Sequence, residues 1–241
     1  METLKEKTIG EFVAEDYRTA QVFKKYNIDF CCKGNRSIAE VSDKNNISAD
    51  LLYSEIEAIQ QASSNESSDF KSWPIDLLAD YIEKRHHRYI EEKTPVIAGF
   101  LEKLCRVHGS RHPELLKVME LFKGSAGDLA AHMKKEELVL FPFIHKMVKA
   151  NRAGKSLPQP HFGTVENPVS MMMNEHEVEG DRFRQIASLT ENYTAPADGC
   201  TTYKVTFNML KEFEADLHLH IHLENNILFP KAVALEKVVK S

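Results

Sequence analysis

The sequence predicts an all-α protein in which a four-helix bundle follows a small helical N-terminal domain. Apolar residues recur at helical spacing over four long segments, near residues 75–106, 113–149, 166–192 and 201–237. Almost no segment alternates apolar and polar residues in the way that a half-buried strand does. In addition, one helical motif occurs twice, which indicates two related helix pairs within the bundle.

Composition limits the classes of protein to which the chain can belong. Its 241 residues, 42% hydrophobic and 28% charged, are enough for one large domain, or one large and one small domain. The net charge of −5 argues against nucleic acid as the main partner. No apolar run is long enough for a membrane span, and the segment METLKEKTIGEF lacks the apolar core of a signal peptide. We therefore expect a cytoplasmic protein that does not contact a membrane.

A polar stretch, ASSNESSD at residues 62–69, interrupts the helical pattern and is typical of a linker. We place the domain boundary there, with the small helical domain at residues 1–65 and the bundle at residues 66–241. A domain of about 60 residues is near the lower limit for independent stability, so we expect the small domain to pack on another surface.

Within the small domain, capping residues predict the starts of short helices. Thr8 followed by Glu11 is a capping-box signature that opens the first helix. A second helix covers residues 17–26, and Ser37 and Ser48 are positioned to cap a third and a fourth.

In the bundle, helix-breaking residues predict where the long segments are interrupted. Pro95 lies inside the first segment, and Gly124 and Gly127 lie inside the second, so we expect kinks or breaks at these positions. A loop at residues 151–166, which contains Gly and Pro, precedes the third segment.

The repeated motif places ligand-type residues in an apolar frame. Seven positions coincide at a constant offset of 88 residues: Asp128, Leu129, His132, Glu136, Leu140, Phe141 and Pro142 in the first copy, and Asp216, Leu217, His220, Glu224, Leu228, Phe229 and Pro230 in the second. Asp, His, Glu and Leu follow at steps of four, so they share one helix face. Burying an imidazole and a carboxylate without partners is costly, and a bound metal ion offsets that cost. The motif therefore predicts a metal centre inside the bundle.

A centre with two metal ions would take one further histidine from each of the other two helices. The third helix offers only His176, whereas the first offers the adjacent His86 and His87. Periodicity leaves this choice open, because His86 also continues an apolar stripe. The spacing slightly favours His87, since 45 residues separate it from His132 and 44 separate His176 from His220.

Four imidazoles and two carboxylates form a ligand set that suits iron, manganese or zinc. If both glutamates bridge, each ion receives two His nitrogens and two Glu oxygens. Asp128 and Asp216, one helical turn before the motif histidines, and Glu175, beside His176, are expected to orient imidazoles or carry protons.

Other histidines and cysteines are assigned to the surface or to packing. His218 and His222 share a helix face that is turned away from His220, so we expect them to face solvent. Cys105 and Cys200 are expected to be structural, because four scattered cysteines are too few for a disulfide framework.

These motifs resemble a known domain and a known family. The segments HMKKEELVLFP and HIHLENNILFP, together with NEHEVEG around His176, resemble the hemerythrin-like (HHE) domain. The segment YNIDFCCKG resembles the small module that precedes that domain in the repair-of-iron-centres family of di-iron proteins. The resemblance covers about residues 5–236, which is nearly the whole chain.

The resemblance implies a cytoplasmic protein with two non-haem iron ions joined by an oxo or hydroxo bridge. The family's ligand pattern falls on six residues: His87, His132, Glu136, His176, His220 and Glu224. Its first ligand histidine lies eight residues before a proline, which selects His87, before Pro95, over His86. Damaged iron–sulfur proteins and the small ligands NO or O₂ are the implied partners, and a homodimer is also considered.

Cys31 and Cys32 are adjacent and have two interpretations. Neighbouring cysteines do not readily form a disulfide with each other, because the ring would be strained. They are either small buried residues that pack the domain, or a reactive or metal-handling thiol pair in the turn before a helix. The resemblance favours the second interpretation, because the pair marks the family.

Three functions fit the sequence. The first is repair of damaged iron–sulfur clusters by iron delivery, by NO chemistry at the iron site, or by both, and the sequence leaves this choice open. The second is a non-catalytic O₂ or NO carrier or sensor, which has no need of the cysteine pair. The third, a di-iron oxidase or peroxidase, ranks last because the ligand set lacks the many carboxylates of oxygen-activating bundles.

Overall fold

The computed structural model describes residues 7–61 and 69–240, so nearly all of the predicted linker lies outside the described residues. The described segments are helical, with isolated bridges such as Thr8–Ser37 in place of any β-strand. The all-α prediction is confirmed. No helix in the described segments is long and apolar enough to cross a membrane.

The small domain contains four α-helices in its described part, namely α1 (Ile9–Glu15), α2 (Ala20–Lys25), α3 (Ile38–Asn45) and α4 (Ala49–Gln61). The predicted caps of α1 and α3 are confirmed. Thr8 accepts the Glu11 N–H while the Glu11 carboxylate accepts the Thr8 N–H, and Ser37 and Glu40 form the same reciprocal pair. Each pair satisfies two backbone donors at a helix start.

Four long helical rods form the bundle, and three of them contain a π-helical turn. The rods are α5 (Ile75–Tyr81, a π turn at Ile82–His87, then Arg88–His108), α6 (Glu114–Lys135, a π turn at Glu136–Leu140, then Phe141–Arg152), α7 (Glu166–Leu189) and α8 (Thr201–Leu223, a π turn at Glu224–Leu228, then Phe229–Val239). Pro95, Gly124 and Gly127 lie inside unbroken helices, so the chain does not break there, and the kinks expected at these positions stay a prediction.

The matching π turns of α6 and α8 have a local cause in the repeated Leu-Phe-Pro sequence. The N–H of Phe141 bonds the Glu136 carbonyl five residues back, and the N–H of Phe229 bonds the Glu224 carbonyl in the same way. The proline after each phenylalanine has no N–H, and its ring would clash with the carbonyl four residues earlier in a regular α-helix. A wider turn relieves this clash, and π turns of this kind are frequent at functional sites.

Two apolar clusters occupy the two ends of the bundle, and a polar layer lies between them. On α5, Ile82 belongs to one cluster and Ile90 to the other. On α7, Met172 and Phe183 divide in the same way, with His176 between them. The histidines and glutamates of the motif therefore lie where one apolar cluster ends and the next begins.

The small domain packs on α8 through an asparagine that lies within the second copy of the repeat. The Asn226 side chain inserts between Gly10 and Gly34, where an added Cβ would lie 2.4 Å and 2.6 Å, respectively, from Asn226 Oδ1. Apolar residues of the small domain and of the bundle form one continuous cluster. The predicted packing of the small domain on another surface is thus seen within the chain, and the boundary at residue 65 stays a prediction.

The small domain also covers two histidines of α8. The Phe30 ring lies 6.3 Å from the ring of His218 and 6.0 Å from that of His222, measured between centroids. His222 is buried, and burial lowers its pKa to about 3, so it is neutral. The expectation that these histidines face solvent is wrong, because their helix face is the docking surface of the small domain.

We expect Gly34→Ala to destabilise the protein by roughly 1–3 kcal/mol, because its Cβ would overpack the contact with Asn226 and the Phe30 carbonyl. Gly127→Ala is the matched control. An added Cβ at Gly127 meets nothing within 4 Å. Alanine there should raise the free energy of unfolding by about 1 kcal/mol, because alanine has the higher helix propensity. Urea unfolding at matched metal content measures both, and equal effects would contradict the proposed close approach.

Candidate metal centre

The four rods each bring a histidine to the middle of the bundle, and α6 and α8 each add a glutamate. The six predicted ligands are buried there, none more than 2% exposed: His87, His132, Glu136, His176, His220 and Glu224. Their ligand atoms form two overlapping groups, each within 4.8 Å, which are His87 and His220 with both glutamates, and His132 and His176 with both glutamates. Both carboxylates are therefore shared between the two groups.

Glu136 of α6 joins a histidine of each group. Its Oε2 atom lies 3.4 Å from His87 Nε2 and 3.3 Å from His132 Nε2. The π turn that begins at Glu136 places this carboxylate on the inner side of the rod.

Glu224 of α8 has the same arrangement toward the other two histidines. Its Oε1 atom lies 3.0 Å from His220 Nε2, and its Oε2 atom lies 3.2 Å from His176 Nε2. Across the centre, His176 Nε2 is 3.1 Å from His132 Nε2. Donor nitrogens and oxygens thus converge from all four rods.

These residues fit a pair of metal ions. Five of their atoms are buried without a hydrogen-bond partner among the described residues. One is His220 Nδ1, and the other four belong to the two groups, namely His87 Nε2, both carboxylate oxygens of Glu136 and Glu224 Oε2. Leaving such atoms unsatisfied is costly, and cations in the two groups would satisfy these four. Each group offers two imidazole nitrogens and two carboxylate oxygens, a donor set that suits iron, manganese or zinc.

Both adjacent histidines of α5 are buried, which is why periodicity does not separate them. His87 belongs to the centre. His86 instead donates from Nδ1 to Asp216 Oδ2 at 3.0 Å, and its ring stacks on that of His220 with 5.6 Å between centroids. His86 therefore lies directly behind the centre without joining it.

Three of the four central histidines bond an acceptor outside the centre through Nδ1, which turns Nε2 inward. The pairs are His87 with Glu137 at 3.1 Å, His132 with Glu175 at 2.8 Å and His176 with Asn225 at 2.8 Å. His220 Nδ1 has no hydrogen-bond partner among the described residues. Glu175 thus lies where an orienting carboxylate is expected.

The other two carboxylates expected to orient these imidazoles lie elsewhere. Asp128 is exposed and pairs with Arg182 at 2.7 Å. Asp216 bonds His86 and lies 3.3 Å from Arg85, and it does not reach His220. Each aspartate is held by a partner on another rod, Arg182 of α7 or His86 of α5, and so does not hold the motif histidine of its own helix.

Sequence reasoning misses Glu137 and Asn225, which hold two of the rings. Each directly follows one of the shared glutamates, and the two are 88 residues apart. The signal was the repeat itself, extended by one position at which glutamate in the first copy becomes asparagine in the second.

Burial opposes charge on the central groups, but the groups stabilise each other's charged forms. Burial raises the pKa of Glu224, yet His220 and His176 lower it further, and the result lies well below the usual value. Burial lowers the pKa of His132, but Glu136, together with Glu175 and Glu224, more than offsets this and raises it to about 10. In metal-free protein at neutral pH, His132 thus carries a proton that a bound cation would displace.

A surface cleft between α6 and α7 reaches one side of the centre. Its lining includes His132 and His176 but neither histidine of the other group. Apolar side chains such as Val178 also line it, as does the ion pair between Lys135 and Glu175. The two groups therefore differ in their access to solvent.

The adjacent cysteines contact the half of the centre that contains His176. Cys31 is buried and Cys32 half-buried, with 3.7 Å between their Sγ atoms. The Cys32 thiol donates to the His176 carbonyl at 3.3 Å, and Asn225 Nδ2 donates to the Cys31 carbonyl at 3.1 Å. Asn225 also accepts from the His176 ring. The cysteine turn is therefore linked to His176 directly at its carbonyl and through Asn225 at its ring.

Comparison with known proteins identifies relatives of the whole chain. Residues 5–60 match the family model described as Domain of Unknown function (DUF542), and residues 78–232 match the Hemerythrin HHE cation binding domain. The chain is 31% identical over 229 residues to the iron-sulfur cluster repair protein YtfE of Musicola paradisiaca (strain Ech703), covering 95% of this chain and 97% of that protein. It is 30% identical over 233 residues to the protein of the same name from Yersinia pestis (strain Pestoides F), covering 94% and 96%.

Removal of metal should lower the thermal midpoint of unfolding, because cations bound only to the folded centre add to its stability. At free metal near 1,000 times the dissociation constant, the gain is about 4 kcal/mol. Calorimetric scans with and without a chelator measure the change in the thermal midpoint. The double variant His132→Ala/Glu136→Ala should lose the shift, whereas His145→Ala, which changes a half-exposed histidine paired with Asp80, should keep it. An unchanged midpoint in the wild-type protein would show that these residues do not bind metal.

Proposed function

Because the chain belongs to the hemerythrin HHE cation binding domain family and aligns over nearly its full length with iron–sulfur cluster repair proteins, we propose that it is a di-iron protein that repairs iron–sulfur clusters damaged by nitrosative or oxidative stress. The observation that carries the proposal is the pair of buried carboxylates shared between two histidine pairs. Bound iron would supply redox chemistry toward NO or O₂ and a store of iron for a damaged cluster.

The chain's own residues would hold the two ions unequally. On the inner side, His220 is covered by the ring of His86, and neither His87 nor His220 lines the cleft. On the outer side, the cleft between α6 and α7 reaches His132. This difference supports iron delivery, in which the ion on the cleft side leaves and is replaced while the inner ion stays.

The position of the cysteines favours repair over the alternative function. The alternative is a non-catalytic carrier or sensor of O₂ or NO, which needs only the bundle and its cleft. Here a separate domain brings Cys31 and Cys32 into contact with His176, on the accessible side of the centre. A carrier gains nothing from thiols in that place, whereas a protein that passes iron to damaged iron–sulfur proteins of the cytoplasm does.

We expect the protein purified without oxygen to contain two iron atoms per chain, because both carboxylates serve both groups. Iron analysis and Mössbauer spectra measure the number and the coupling of the ions. Glu136→Ala should abolish the coupled pair. Glu137→Gln, which changes the neighbouring carboxylate that bonds His87 from outside, should retain both ions with lower affinity. A single uncoupled iron per chain would contradict the proposal.

Changing both Cys31 and Cys32 to serine should weaken cluster repair while leaving the iron content unchanged. Serine nearly preserves the size of cysteine but removes the thiol chemistry. The measurement is recovery of activity in a damaged iron–sulfur enzyme at equal iron loading. The matched control replaces Cys105 and Cys200, which lie outside the cysteine turn, and should repair normally. Equal recovery by the Cys31/Cys32 variant would assign the chemistry to the bundle alone and favour the carrier function.

A further inference from the structure

Cys31, Cys32 and Asp29 form a second cluster of metal-ligating side chains, outside the central histidines and glutamates. One ligand atom of each lies within 4.8 Å of the other two. The Cys31 thiol is 3.4 Å from Asp29 Oδ1. The same oxygen accepts the Cys32 backbone N–H, and the other carboxylate oxygen lies 3.0 Å from Arg184, so the carboxylate is held beside the two thiols.

The separation of the two sulfur atoms matches the span of a single metal ion. Two thiolates bound at about 2.3 Å to a tetrahedral ion lie roughly 3.75 Å apart. In this structure the Sγ atoms of Cys31 and Cys32 are 3.7 Å apart. A disulfide between neighbours is disfavoured, because adjacent Cα atoms are about 3.8 Å apart and disulfides usually need at least about 4.4 Å.

The turn that carries these ligands is held in place from several sides. Asp29 Oδ1 accepts the Cys32 N–H at 2.9 Å, and Arg36 Nη2 donates to the Asp29 carbonyl at 3.0 Å. On α7, Gly180 leaves room for the Cys32 thiol, since a Cβ there would lie 3.1 Å from Sγ. The three donor atoms are therefore positioned before any cation arrives.

The ionised Asp29 favours a cation at the cluster, whereas Cys31 must lose a proton before it can bind one. Burial raises the pKa of Asp29, but the Cys32 N–H and Arg184 lower it further, so this carboxylate is ionised. The pKa of Cys31 is raised well above its usual value, first by its contact with Cys32 and then by burial, so this thiol is neutral. A divalent cation that binds the Cys31 sulfur as a thiolate would displace its proton.

We propose that Cys31, Cys32 and Asp29 form a third metal site, which holds one thiophilic divalent cation, and that this cation is Fe²⁺ in transit between the central pair and a damaged iron–sulfur cluster. The transit role rests on the proposed function. Three protein donors leave a fourth position open, as in sites that exchange a ligand. The bond from Cys32 to the His176 carbonyl places the third site beside the accessible half of the centre.

Cobalt(II) tests the site, because a tetrahedral cobalt–thiolate centre has intense charge-transfer and visible absorption bands. We expect one equivalent of Co²⁺, added anaerobically to full-length protein with its iron in place, to produce these bands without displacing iron. Cys31→Ser/Cys32→Ser should abolish them, and Asp29→Asn should weaken binding roughly 10–100-fold. The Cys105→Ser/Cys200→Ser variant is the matched control and should bind like wild type. Absent bands, or bands that persist in the Cys31/Cys32 variant, would overturn the proposal.

A measurement on the wild-type protein avoids dependence on how the variants fold. Bound Zn²⁺ should slow alkylation of Cys31 and Cys32, as followed by peptide mass spectrometry, while the exposed Cys200 reacts at an unchanged rate. Equal protection of all three cysteines, or of none, would contradict the site.

Two measurements on one sample of the wild-type protein distinguish the third site from the proposed function. Iron analysis reports the central pair, and the cobalt bands report the cysteine cluster. A protein that lacks central iron but shows the bands would contradict the di-iron function and support the third site. A protein that repairs clusters and contains the central iron pair but shows no bands would support the di-iron function and contradict the third site.

Discussion

Two carboxylates buried between apolar clusters are the constraint on which the rest of this structure depends. An unpaired charge in such a place costs several kcal/mol, so each carboxylate must be surrounded by donors or cations. Four histidines from four different rods meet that need, and three of them are held in turn by an outer acceptor. In this chain each imidazole comes from a different rod, so the centre joins all four rods of the bundle.

The internal repeat explains how one chain builds such a layer. Each copy supplies a histidine, a glutamate and the Leu-Phe-Pro sequence, whose proline favours a π turn that begins at the glutamate. The same local chemistry therefore aims both carboxylates inward. Where the copies differ, the surroundings differ as well. Glu137 places a charge behind His87, whereas the equivalent Asn225 is neutral and can bond His176 and the Cys31 carbonyl at once.

The fold class and the residues brought to the centre could be predicted from the sequence, because the repeat fixes both the period and the buried positions. The choice between His86 and His87 needed the family resemblance, since both are buried. Contacts between distant segments were not visible. The packing of Phe30 on His222 depends on where the small domain docks, and the pairing of Asp128 with Arg182 depends on how the rods pack against one another.

The docking of the small domain breaks the symmetry of the repeat. Asn226 inserts between two glycines of that domain, while Leu138, the equivalent residue of the first copy, is 73% exposed. The neighbouring Asn225 bonds the ring of His176 and the backbone of the docked domain together. Reciprocity then applies: whatever free energy the docked domain contributes to cation binding at His176, the bound cation returns to docking. Loss of the cation therefore weakens docking by the same free energy by which undocking weakens cation binding.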